Sequence, residues 1–68
     1  MNYYYFAEYL TAIGFIVWAD DLTEAEDIAR DWCRGTLGLE DPDLSYRYEM
    51  DEDEAYRSGY KVIDWRSV

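Results

Sequence analysis

Along this chain the spacing of hydrophobic and polar positions changes from a period of two to 3.6 and back once. From Asp20 to Gly35 the apolar residues Ala25, Ile28, Ala29, Trp32 and Cys33 recur at i, i+3, i+4, i+7 and i+8, while the opposite side is nearly all charge. The spacing predicts one amphipathic helix. Thr23 is placed to be its N-cap, with Glu26 completing a capping box. Gly35 is placed to stop it, beside Arg30 and Arg34, whose charge suits the negative end of the helix dipole.

The flanking segments read as strands. Asn2 to Leu10 is largely aromatic, with Tyr3, Tyr5, Ala7 and Tyr9 on one side and Tyr4, Phe6, Glu8 and Leu10 on the other. Thr11 to Gly14 forms the turn from which Phe15 to Ala19 returns as a hairpin. Apolar residues on both sides of these strands imply a central place in the sheet or an aromatic face open to a partner. After the helix, Thr36 to Asp43 is a loop punctuated by Gly38 and Pro42 and pinned to the core by Leu37 and Leu39. Leu44 to Met50 alternates, with Leu44, Tyr46, Tyr48 and Met50 on one face. Asp51 to Glu54 cannot be buried and reads as a solvated turn or a short helical turn running to Arg57. Tyr60 to Trp65 is the last strand, with Lys61 opposite Glu49 as a cross-strand pair. The expected fold class is α+β: one domain over residues 1–68, a four-stranded antiparallel sheet with one helix packed on a face, in the order β-β-α-β-β. Ile28 and Trp32 are expected to be buried against the sheet, and Glu24, Asp27 and Asp31 to be exposed.

Composition narrows the function. At 68 residues the chain is near the lower limit for a self-sufficient core, and its 50% hydrophobic content is enough for ordered folding. The start at Met1 and the compact layout point to a complete small open reading frame. Sixteen acidic residues against six basic ones give a formal net charge of -10. Such a surface repels nucleic acid and anionic lipid and attracts basic proteins or metal cations. The six basic residues are scattered, so the basic stripe of a nucleic-acid binder is missing, and with it the reading of the tyrosines as a base-stacking surface. One cysteine forms no intrachain disulfide, and no segment has the pattern of a signal peptide or a membrane span, which points to the cytoplasm.

Candidate chemistry is sparse. The chain lacks histidine, the commonest general base and zinc ligand. Cys33 falls on the inner side of the helix near its C-terminus, where the dipole disfavours a thiolate, so it reads as a structural thiol. Asp41, Asp43, Ser45, Glu49 and Glu52 match offsets 1, 3, 5, 9 and 12 of a calcium-binding EF-hand loop, but offset 6, which needs glycine, is Tyr46. The reading is a binding protein, not an enzyme, with no cofactor and no metal.

What remains is the acidic surface, densest at Asp51, Glu52, Asp53 and Glu54 and at Glu24, Asp27 and Asp31. Solvation and helix-dipole effects account for part of it, but self-repulsion among so many carboxylates works against a compact domain. In size, acidity and single-domain layout the chain resembles the small acidic phage-encoded anti-defence proteins, the anti-CRISPR proteins and anti-restriction DNA mimics. The resemblance implies that those seven carboxylates bind a nuclease or a CRISPR surveillance complex, a type I complex first, in place of DNA, in the bacterial host cytoplasm. The alternative is a structural or assembly module whose tyrosine-rich sheet face mediates homodimerisation or docking, with acidity serving solubility.

Overall fold

The structure, a computed structural model, describes residues 2–64. Four strands and two helices follow one another as β1 (Asn2–Glu8), β2 (Ile13–Ala19), α1 (Leu22–Thr36), β3 (Leu44–Met50), α2 (Glu52–Arg57) and β4 (Lys61–Ile63). The fold is α+β with one main helix, as the periodicity predicts. The sheet has the order β3-β1-β2-β4. Strands β1 and β2 are central, which is why both carry apolar residues on both faces.

The expected all-antiparallel sheet is corrected to a mixed one. β1 pairs antiparallel with β2 and β3, but β4 runs parallel to β2, with Val17 opposite Ile63. β2, β3 and β4 therefore point the same way, joined by crossovers through α1 and α2. The two crossovers run in opposite directions across the sheet, so a common hand requires their helices on opposite faces. That is the arrangement found: Ala25, Ala29 and Cys33 of α1 pack with Tyr4, Phe6, Phe15 and Val17, while Ala55 of α2 packs with Tyr3, Ile16 and Met50. It also corrects the expected Lys61–Glu49 pair, because β3 and β4 form opposite edges; Lys61 lies opposite Phe15 and Glu49 opposite Tyr4. The final strand is shorter than predicted, and Trp65 falls outside the described residues.

The ends of α1 also differ from expectation. Asp21, not Thr23, is the N-cap, its Oδ1 accepting from the Glu24 N–H at 2.8 Å, while the Glu24 carboxylate accepts from the Asp20 N–H at 3.4 Å. The cap lies two residues earlier than predicted, and Glu24 reaches back to the N–H preceding the cap instead of the cap's own, so the pair is only capping-box-like. The helix passes through Gly35 and ends at Thr36, and Gly38 (φ 70°) turns the chain so that the Leu39 N–H folds back onto the Cys33 carbonyl at 3.2 Å. The side of α1 nearest the sheet consists of small residues, Ala25, Ala29 and Cys33, all fully buried. The helix can therefore lie close, and Ile28 and Trp32 are displaced to its flank. Both are half-buried instead of buried; the Trp32 ring reaches Phe15 at a centroid distance of 4.7 Å.

In β3 a bulge overturns the predicted single face. Tyr5 lies opposite Tyr48 but Phe6 opposite Tyr46, so Arg47 is the extra residue. Tyr46 consequently packs on the α1 side against Tyr4 and Phe6, whereas Tyr48 and Met50 lie on the α2 side with Tyr5 and Tyr3. Freed from regular pairing, Arg47 donates to the Tyr9 hydroxyl at 2.7 Å. The hairpin turn, too, falls earlier than expected: Tyr9 to Ala12 forms it, with Ala12 in the left-handed region (φ 58°), and Gly14 belongs to β2.

Candidate functional site: an acidic end of the sheet

Because β2, β3 and β4 run in one direction, the residues that follow them emerge at one end of the sheet, beside the start of β1. Each of these exits carries carboxylates: Asp20 and Asp21 after β2, Asp51 after β3, Asp64 after β4. Both helices begin at that end, adding Glu24 in the first turn of α1 and Glu52, Asp53 and Glu54 in that of α2. Acidic residues belong there physically, because the N-terminus of a helix carries partial positive charge. Topology thus gathers eight of the chain's 16 acidic residues at one end. Among the described residues, most basic ones lie elsewhere: Arg34 in the last turn of α1, Lys61 at the start of β4, Arg47 within β3 and Arg30 in the second half of α1; Arg57, in the last turn of the short α2, reaches back to Asp53.

Of the seven carboxylates singled out from sequence, five come together. Asp51 is the N-cap of α2, its Oδ1 accepting from the Glu54 N–H at 2.8 Å. The segment after β3 is therefore a capped helix rather than a free turn, and Asp51 has a structural task. Asp53 pairs with Arg57 at 3.6 Å, an exposed i,i+4 contact that solvent screens heavily. Glu24 is half-buried, not exposed as predicted, since it folds back over the helix start. Asp27 and Asp31 are exposed but run along α1 away from this end, and Asp31 pairs with Arg34 at 3.9 Å. Asp20, Asp21 and Asp64 join the group unforeseen. Their signal in the sequence is an aspartate directly after each of three strands, meaningful only once those strands are known to be parallel.

A second feature lies on the α2 face. Tyr48 and Tyr60, 49% and 45% exposed, flank the half-buried Tyr5, whose ring centroid is 5.2 Å from Tyr48 and 4.8 Å from Tyr60, and the 58% exposed Tyr56 packs edge-on against Tyr3 at 5.8 Å. A hydrogen bond with Tyr60, followed by burial, pushes the Tyr5 hydroxyl up to about 12. Gly14 makes this packing possible, because a Cβ there would stand 2.5 Å from the Tyr5 hydroxyl.

The interior offers little reactive chemistry. Cys33 is fully buried, and burial followed by the nearby Glu8 charge raises its thiol pKa. Glu8 is the one buried charged residue of the described chain. Among the described residues, no group of three or more Cys, Asp or Glu side chains is arranged to hold a metal ion, and no helix is long and apolar enough to cross a membrane. Comparison with known proteins finds no match for this chain, whether among family models, curated proteins or solved structures.

Proposed function

We propose that this protein is a non-enzymatic acidic inhibitor that occupies a basic nucleic-acid-binding surface in place of DNA, with the acidic end of the sheet as its contact. The single observation that carries the reading is the convergence of eight carboxylates where β2, β3 and β4 end. Charge density supports it. Four strands spaced by about 4.8 Å are roughly 14 Å across, and about 14 Å of duplex DNA carries roughly eight phosphate charges. Helix capping holds part of this array in place, so ordering it on binding costs little. In keeping with the resemblance to anti-CRISPR and anti-restriction proteins, the target is a defence complex of the bacterial host cytoplasm, first a type I CRISPR surveillance complex.

The test is competition between this protein and duplex DNA for a purified type I surveillance complex at low and moderate salt. DNA binding should be lost when the protein is added first, and the competition should weaken steeply with ionic strength. Absence of competition at every salt concentration overturns the assignment to that complex.

One observation favours a second reading, an assembly module: the exposed Tyr48 and Tyr60 beside Tyr5, with the exposed Tyr56 against Tyr3 on the same face. An aromatic interface would hold or strengthen as salt rises, opposite to an electrostatic one. The net charge of -10 opposes self-association through it.

A further inference from the structure

The acidic end is not uniform. On its α2 side a groove of about 410 Å3 opens between the start of β1, the end of β2 and the first residues of α2, lined by Asn2, Tyr3, Trp18, Met50, Asp51 and Glu52. Its floor is aromatic and apolar. Tyr3 and Trp18 are cross-strand neighbours, their ring centroids 6.3 Å apart and planes 26° from parallel, and buried Met50 lies opposite Tyr3 on β3. Trp18 keeps part of its surface open to solvent. The rim is anionic. Asp51 and Glu52 stand on it, and the charges of Glu52 and Asp64 both reach the Tyr3 hydroxyl, where they add to the larger effects of burial and of Tyr56.

We propose that this groove receives an arginine side chain of the protein partner, its guanidinium stacked on the open part of the Trp18 ring and paired with the carboxylates of the rim. The inference rests on the acidic end being the contact with a basic surface, and names the residue type that the contact selects. Charge complementarity excludes a second copy of this chain and a nucleic acid as occupants. Arginine suits the groove better than lysine because a planar guanidinium can stack on an indole while its edge donates to carboxylates; an ammonium is more strongly hydrated and offers no plane to stack. The surfaces that bind nucleic-acid phosphates are built largely from those two residues.

The probes are blocked tetra-arginine and tetralysine peptides, titrated into the full chain at low salt by calorimetry and by amide and indole NMR, with the Trp18 indole signal identified through Trp18→Phe. Tetra-arginine should bind about three- to fivefold more tightly than tetralysine. It should shift the Trp18 indole and the amides of Tyr3 and Glu52. Trp18→Leu should bring the two affinities together without abolishing either, and Glu52→Gln should weaken both. If Trp18→Leu does not fold, the wild-type affinity ratio and the Trp18 shift decide alone. Equal affinities, or shifts centred on Tyr48 and Tyr60, overturn the arginine site; salt-sensitive binding of both peptides at the acidic end would then leave the broader reading standing. Failure of both peptides to bind overturns both the arginine site and the acidic contact.

Discussion

Glu8 and Asp43 are separated by 35 residues in sequence, yet the Asp43 backbone N–H donates directly to the Glu8 carboxylate inside the protein. The other carboxylate oxygen accepts from the Thr11 N–H at 2.8 Å and the Thr11 hydroxyl at 3.1 Å, and the Tyr9 N–H donates to the Asp43 carbonyl at 3.0 Å. One buried acid therefore ties the β1–β2 turn to the start of β3. Burial alone would raise the Glu8 pKa, but the donors from Thr11, Asp43 and Leu10 outweigh it and hold the carboxyl below its ordinary value.

The sign of the pH effect follows. A depressed folded pKa contributes stability that is present above the unfolded value, about 4.3, and is lost as pH falls through the folded value. Glu8→Gln should lower the Tm at neutral pH, since an amide turns one donor toward N–H groups that need an acceptor. Protonation of the acidic end relieves repulsion and acts in the opposite sense. The difference in Tm between wild type and Glu8→Gln isolates Glu8, and it should shrink below about pH 4. A difference that is constant with pH would place the carboxylate outside this network.

The hydroxyls of Tyr3 and Tyr5 should ionise well above the ordinary tyrosine value, about 10. Tyr3, raised first by burial and then by Tyr56, and Tyr5, raised first by its hydrogen bond with Tyr60, are both pushed up to about 12. Ultraviolet titration of the eight tyrosines should show a late component, and Tyr60→Phe should bring Tyr5 down. Because these folded values lie above the unfolded one, about 10, their contribution to stability is complete below pH 10 and disappears as pH rises toward 12.

How much of this was legible differs by element. The body of α1 follows from Ala25, Ala29 and Cys33, but its ends do not: Asp21 and Thr23 are both good caps, Gly35 and Gly38 both good stops, and tertiary packing chooses between them. Alternation from Leu44 to Met50 is blind to a bulge, so Arg47 hides the change of face between Tyr46 and Tyr48. The direction of β4 is the most consequential loss. Three residues, Lys61 to Ile63, carry no mark of parallel or antiparallel pairing, and only the crossover through α2 sets it. Without that direction the aspartates after Ala19, Met50 and Ile63 look scattered; with it they form the acidic end.

The choice of N-cap can be checked directly. Asp21→Ala should cost about 1 kcal/mol, a fall in Tm of roughly 4 to 8 °C for a domain this size. Thr23→Ala should cost much less, since Thr23 is exposed within the first turn. Equal losses would restore Thr23 as a cap.

Gly14 is expected to tolerate no side chain. In Gly14→Ala the new Cβ would meet the Tyr5 hydroxyl at 2.5 Å and ring carbons of Tyr5 and Tyr60 at 3.0 Å. Tyr5 is held between Tyr48 and Tyr60, so relief requires moving the cluster, at about 1 to 3 kcal/mol. Tyr5→Phe removes the nearest atom. Chemical denaturation of both single variants and the double variant should show a smaller Gly14→Ala cost in the Tyr5→Phe background; additive costs would mean the clash is relieved elsewhere.

The functional proposal turns on which carboxylates meet the partner, and the fold allows charge-matched variants to separate them. Asp51 and Asp21 cap helices and must be left alone, otherwise lost binding could be lost folding. Glu52→Gln, Asp53→Asn and Glu54→Gln together remove three charges from the acidic end. Glu26→Gln, Asp27→Asn and Asp31→Asn remove three from α1, on the other face of the sheet. Neither set touches a buried position, so both should stay folded, which Tm measurement verifies. Long-range attraction depends mainly on net charge, and both sets reduce it equally; short-range contact does not. In competition with duplex DNA for the surveillance complex at moderate salt, the α2 set should compete on the order of tenfold less well than wild type, and the α1 set should stay closer to it. The reverse order would move the contact to the outer face of α1, where Asp27 and Asp31 lie. Equal, small losses from both would mean that overall charge, not a shaped end of the sheet, sustains the binding.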